Sequence, residues 1–160
     1  AGITTGQVVD AGIRDSMNMG AAMAPAAFHT VMQNLKDLEI TKKQLESGWY
    51  DKIITGDLGK IGKQALTELI RNEGLEAEKY LMDCGMEIYD SSNQDTHAGG
   101  SGCGCSALVL GALILPNIQA GIWRRVLFIP TGALLSTVSF NEGQTIPGIA
   151  HGIILEGMGK

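Results

Sequence analysis

The 160-residue chain is short of several things, and each shortage excludes a class of function. It has three cysteines, two of them one residue apart at Cys103 and Cys105, which is no disulfide framework, so a reducing compartment is expected. Aromatic residues make up only 5%, and no Lys/Arg-rich run or basic–aromatic interleaving occurs. With a formal net charge of −5, this argues against nucleic acid as a partner. No apolar run reaches the length of a bilayer span, because the longest, residues 107–115, stops at Pro116. No signal-peptide pattern is present, so a membrane role is expected to go through a partner. No repeat or linker divides the chain. A hydrophobic content of 44% against 18% charged residues suits one domain, residues 1–160, with a sizeable core.

What the chain has in plenty is glycine, concentrated in Gly99-Gly100-Ser101-Gly102-Cys103-Gly104-Cys105-Ser106. Such a stretch is neither helix nor strand interior, and it can turn backbone N–H groups toward a cavity at φ values other residues avoid. It runs into residues 107–115, which are apolar on every side and predict a helix covered by protein all round. A glycine-rich turn opening a buried helix suits an anionic group. A tight turn that lets a helix pack closely on a sheet would look the same, and both readings stand.

Residues 3–10 are rich in β-branched side chains and predict an edge strand or an arm. Residues 19–38 predict a helix, with Phe28, Val31, Leu35 and Leu38 at helical spacing and Pro25 in its first turn. Thr41-Lys42-Lys43-Gln44 has the form of a capping box, with Ile40 and Leu45 as its hydrophobic staple, and the short helix ends near Gly48. Residues 49–55 predict a strand, Gly56-Asp57-Leu58-Gly59 a turn, and residues 60–72 a helix stopped by Gly74. Residues 75–96 show no clear period, and Ser91-Ser92-Asn93-Gln94-Asp95 predicts a surface loop. After the glycine-rich helix come a buried strand at 125–129 ended by Pro130, a polar loop at 140–145 and a last strand at 149–155. Strands alternating with helices predict an α/β fold with a mixed sheet. A helix without a polar face asks for a second layered half.

Several stretches occur together and in order. They are residues 18–27 (Asn18 to Ala27), Thr55-Gly56-Asp57-Leu58, Asp83-Cys84-Gly85, residues 97–107 (His97 to Ala107), Thr131-Gly132-Ala133-Leu134-Leu135-Ser136 and Ile146-Pro147-Gly148-Ile149-Ala150-His151. Together they resemble the C-terminal half of the stage V sporulation protein AD family, through nearly the whole chain. That family is similar to thiolases and ketoacyl synthases. The resemblance therefore implies one αβα half of a five-layer αβαβα arrangement, with a buried central helix between two sheets. It implies a protein that binds dipicolinate, a small dianion, and helps load it into the spore. It also implies a peripheral place at the spore inner membrane beside other stage V sporulation membrane proteins, without acyl-transfer activity and without cofactor or metal. The family's N-terminal half is lacking here, and Gly148 stands where many members are expected to have Cys. The chain is thus expected to be part of a longer protein, with an incomplete pocket.

The candidate ligand-binding residues are Asp57, His97, Gly100, Ser101, Gly102, Cys103 and Cys105. In the related ketosynthases a catalytic His occupies the turn that here holds Asp57, and a carboxylate near pH 7 cannot replace it as a neutral donor without a strongly raised pKa. Asp57 either caps the following helix or faces the pocket. Cys103 and Cys105 with His97 and Cys84 make a thin case for zinc, and an adjacent-alternate pair makes a strained disulfide. Cys105 is either a thiolate activated at a helix N-terminus or a small buried packing residue. His97 enters the glycine-rich turn from a polar loop and could face the cavity, while His151 is expected in the core or an interface and His29 at the surface. Ser106 is a good N-cap and Ser101 a possible donor to a carboxylate. Arg124-Arg125 is expected as a solvated pair. Two other functions remain open, a degenerate acyltransferase half, or a scaffold for membrane partners or a homodimer using residues 3–10 and the Met-rich helix start.

Overall fold

The computed structural model describes residues 2–100, 102 and 104–157. In chain order the elements are β1 (Ile3–Thr4), α1 (Met19–Asp37), α2 (Lys42–Glu46), β2 (Lys52–Thr55), α3 (Gly59–Asn72), β3 (Leu81–Asp83) and α4 (Cys84–Glu87). They continue with α5 (Cys105–Val109), α6 (Leu115–Gln119), β4 (Arg125–Ile129), β5 (Thr131–Ala133), α7 (Thr137–Asn141), β6 (Gly148–Ala150) and β7 (Gly152–Glu156). A π-helical turn, Leu110–Ile114, joins α5 and α6 into one rod.

Five strands form a mixed sheet in the order β1-β7-β4-β2-β3. Strand β2 runs parallel to β3 and β4, while β7 is antiparallel to β4 and β1. The inner strands are apolar without alternation because both faces are covered. Ile53, Leu127 and Ile129 join the core under α1 and α3, whereas Ile54, Val126 and Phe128 join the one under the α5–α6 rod. The expected α/β class and mixed sheet are therefore present. Past Pro130 and His151, the β4–β7 pair leads into a two-stranded ribbon of β5 and β6, so the single strand expected at 149–155 is two. The polar loop expected at 140–145 overlaps α7, which starts on a reciprocal Ser136–Ser139 cap.

Local side-chain caps start α2, α4 and α7. The Thr41 hydroxyl accepts from Gln44 N at 3.3 Å and Gln44 Oε1 accepts from Thr41 N at 2.9 Å, closing the expected capping box. Ile40 and Leu45 of its staple are both buried. Pro25 departs from expectation, for it lies well inside α1 rather than in its first turn, since the helix begins at Met19 after a 3-10 turn over Ser16–Asn18. The helix tolerates losing the one bond that Pro25 cannot donate.

The rod after the glycine-rich turn also differs. Cys105, Val109, Ile114 and Ile118 are buried against the sheet, but Leu108 is 57% and Leu115 39% exposed. The chain supplies a cover for one side of this helix only, so it is half-covered rather than enclosed.

Candidate functional site

The connection leaving β2 runs to β3, and the one leaving β4 runs the other way, to β7. Between the carboxyl ends of β2 and β4 the connections thus diverge, and in open α/β sheets this switch point is where ligands bind. A cleft of about 490 Å³ opens there. Its walls include Met17, Met19 and Met23 from the start of α1 and its approach, Ile61 of α3, Asp57 after β2 and Thr131 at the start of β5. The glycine-rich segment closes it through Gly99, Gly100, Gly102 and Ser106. Among the described lining residues, Asp57 alone is charged.

Asp83 holds two of the lining residues, Leu58 and Gly59, in place. Fully buried at the end of β3, its carboxylate accepts from the Thr55 hydroxyl at 2.6 Å, Leu58 N at 2.9 Å, Gly59 N at 2.8 Å and Gly85 N at 3.1 Å. One side chain thereby caps both α3 and α4. Burial pushes its carboxyl up, partly offset by the Thr55 hydroxyl and the Gly59 and Leu58 N–H groups. The glycine-rich turn docks on the same spot, with Gly100 N donating to Gly85 O at 2.6 Å. A Cβ on Gly85 would lie 2.3 Å from Gly100 O, and one on Gly99 2.5 Å from Gly85 O. These glycines are required by the close approach of two backbones, the glycine-rich turn and the start of α4.

Asp57 does not cap α3, since Asp83 holds those N–H groups. Its Oδ1 accepts from the Thr131 hydroxyl at 2.8 Å and its Oδ2 from Gly102 N at 3.1 Å, while its own N–H donates to Thr131 Oγ1 at 3.1 Å. The side chain faces the cleft and bridges β2, β5 and the glycine-rich turn.

The other sequence candidates divide. Gly100 and Gly102 line the cleft with Asp57. Ser101 and Cys103 lie outside the described residues. His97 points away, with its side chain 91% exposed and its Nδ1 3.6 Å from Asp95. Cys105 is buried, its thiol donating to Gly56 O at 3.7 Å, and burial with the nearby Asp57 and Asp83 carboxylates pushes its pKa up. This is the packing cysteine, because burial first, and the two acids after it, disfavour the thiolate. Cys84 is pushed up to about 12, chiefly by burial. His151 is exposed rather than in the core, its Nδ1 accepting from Gly6 N at 3.0 Å, because the chain bends there between β6 and β7.

Sequence reasoning missed Thr131, the three methionines and Asp83. Thr131 follows the Pro that ends a buried strand, and the carboxyl end of a parallel strand is itself a signal. A wider groove, about 860 Å³, lies elsewhere on the molecule, between Trp49, Trp123 and Arg125. Its charges are mostly engaged. Asp51 Oδ2 accepts from Arg124 N and Arg125 N, and the Arg125 guanidinium stacks over Trp49 and donates to Glu156 at 2.7 Å.

The stage V sporulation protein AD family profile matches residues 1–156. Stage V sporulation protein AD of Bacillus subtilis (strain 168) is 42% identical over 156 residues, covering 98% of this chain and 44% of that protein. The chain thus spans less than half the length of this relative.

Proposed function

The chain belongs to the stage V sporulation protein AD family and so has a sporulation-related role, and from that premise we propose that it forms one side of a binding site for dipicolinate. The observation that carries this reading is the cleft at the switch point, of a volume suited to a small planar ligand and walled by methionines on one side and a glycine-rich turn on the other. Thioether side chains pack well against an aromatic ring, and backbone N–H and hydroxyl donors suit its carboxylates. The cleft's only charged group among the described residues is an acid, so the cations that balance a dianion come from a second half.

That second half is part of the proposal. The α5–α6 rod is covered on its sheet side alone, and a similar αβα unit laid over Leu108 and Leu115 completes a thiolase-like five-layer arrangement. The role is binding rather than acyl transfer. A raised thiol pKa at Cys84 and Cys105, with His97 in solvent, supports this, because acyl transfer needs a nucleophile paired with a base. No helix among the described residues is long and apolar enough to cross a membrane. Location at the spore inner membrane beside integral membrane partners is part of the same proposal.

Calorimetry with the full-length protein is the test. Dipicolinate should bind the full-length protein, and bind the 160-residue chain weakly or undetectably. Absence of heat with a folded full-length protein would sink the reading.

A further inference from the structure

We propose that the Gly102 N–H and the Thr131 hydroxyl form a carboxylate seat, which Asp57 fills in this structure and which a ligand carboxylate takes over. The inference rests on reading the cleft as a ligand site. Each oxygen of the Asp57 carboxylate has one of these donors, Thr131 on Oδ1 at 2.8 Å and Gly102 on Oδ2 at 3.1 Å. The Thr131 hydroxyl is oriented for this, because its oxygen already accepts from Asp57 N at 3.1 Å and its proton points to the acid. Most other donors nearby are not available. Leu58 N and Gly59 N are held by Asp83, Gly100 N by Gly85 O, and Lys60 N by Ala98 O.

Asp57 bridges β2, β5 and the glycine-rich turn through the Gly102 and Thr131 donors, a link that a neutral acceptor could also make. The cap of α3 belongs to Asp83, and no cation lines the cleft among the described residues. A half-exposed carboxylate balanced by two neutral donors is held loosely compared with an ion pair. An incoming carboxylate matches the same two donors and, with the side chain swung out, costs no new buried unsatisfied group. Asp57 is then a built-in competitor. It keeps the seat ordered when empty and sets a threshold that only a well-fitting acid exceeds.

The test uses full-length protein labelled with ¹⁵N-glycine, with formate as the smallest carboxylate probe. In the wild type the Gly102 amide should ignore formate. In Asp57→Ala it should shift saturably, and adding Thr131→Val should abolish the shift. Asp57→Asn, which keeps the size and the bond from Thr131, should raise dipicolinate affinity by roughly tenfold. A Gly102 amide that stays silent to formate in a folded Asp57→Ala protein overturns the seat. So does a loss of dipicolinate affinity in Asp57→Asn, since the Asp57 charge would then support binding instead of competing with it. If formate moves Gly102 in Asp57→Ala while dipicolinate binds neither protein, the seat stands and the dipicolinate reading falls.

Discussion

The carboxylate of Asp83 takes the Gly59 N–H at 2.8 Å, tying the end of β3 to the start of α3 across the parallel strand pair. The same carboxylate holds Thr55, Leu58 and Gly85, so four donors converge on one buried group. Replacing Asp83 by Ala takes the acceptor from the Leu58, Gly59 and Gly85 N–H groups, while the Thr55 hydroxyl keeps Met82 O at 3.3 Å, and each buried unsatisfied donor costs about 1–3 kcal/mol before relaxation. Asp83→Ala is expected to lose about 3–5 kcal/mol, and Asp83→Asn less, since the amide oxygen still accepts. Urea titration followed by circular dichroism reads both. A loss below about 1 kcal/mol for Asp83→Ala would mean that water replaces the carboxylate at no cost.

Helices α1 and α3 cross where two glycines meet. A Cβ on Gly62 would lie 2.6 Å from Gly20 O, and one on Gly20 2.0 Å from Leu58 O. Because both obstacles are backbone, neither yields by a rotamer change. Gly62→Ala is expected to destabilise by about 1–3 kcal/mol through overpacking, although alanine is the better helix former. Thermal unfolding of the single variant suffices, and a raised midpoint would show that the helices can part freely.

Much of this was legible beforehand, and the exceptions have physical causes. The capping box at Thr41, the buried strand ended by Pro130 and the helix stopped by Gly74 are local signals, each decided within a few residues. Asp83 was not legible as a hub. Its strand is three residues long, and its partners Thr55, Leu58 and Gly59 are more than twenty positions away, so nothing within a helical or strand window marks it. For Asp57 the sequence leaves capping and facing the cleft both open, and the choice depends on Asp83, distant in sequence, holding the Gly59 N–H. The greasy rod beginning at Cys105 was readable as a helix, while its exposure depends on what lies over it, which periodicity cannot express.

The cysteines give a prediction about reactivity. Cys84 is fully buried with its thiol pushed up to about 12, and Cys105 is raised by burial and by Asp57 and Asp83. With its pKa pushed up to about 12, Cys84 stays almost wholly protonated at pH 8, and the thiolate is the nucleophile. Iodoacetamide followed by peptide mapping should therefore leave Cys84 and Cys105 unmodified in the folded protein at pH 8 and modify both in urea. Rapid native alkylation of Cys105 would restore the reading of it as an activated thiol.

The exposed side of the α5–α6 rod distinguishes a domain that stands alone from half of a layered pair. A Cβ on Gly111 would meet nothing within 4 Å, and Leu108 is more than half exposed. In the 160-residue chain, Gly111→Ala should be neutral or add up to about 1 kcal/mol through helix propensity. Leu108→Gln there should stay within about 0.5 kcal/mol, as surface changes do. If a second αβα unit lies on this face in the full-length protein, the signs diverge. Gly111→Ala then overpacks a helix contact at a cost of about 1–3 kcal/mol, and Leu108→Gln buries a polar amide in a packed layer at a similar or larger cost. Denaturant titrations of the four proteins, each against its own wild type, give the comparison. Equal and small effects in both lengths would leave the rod's apolar face uncovered in the complete protein, and the five-layer arrangement would have to be abandoned.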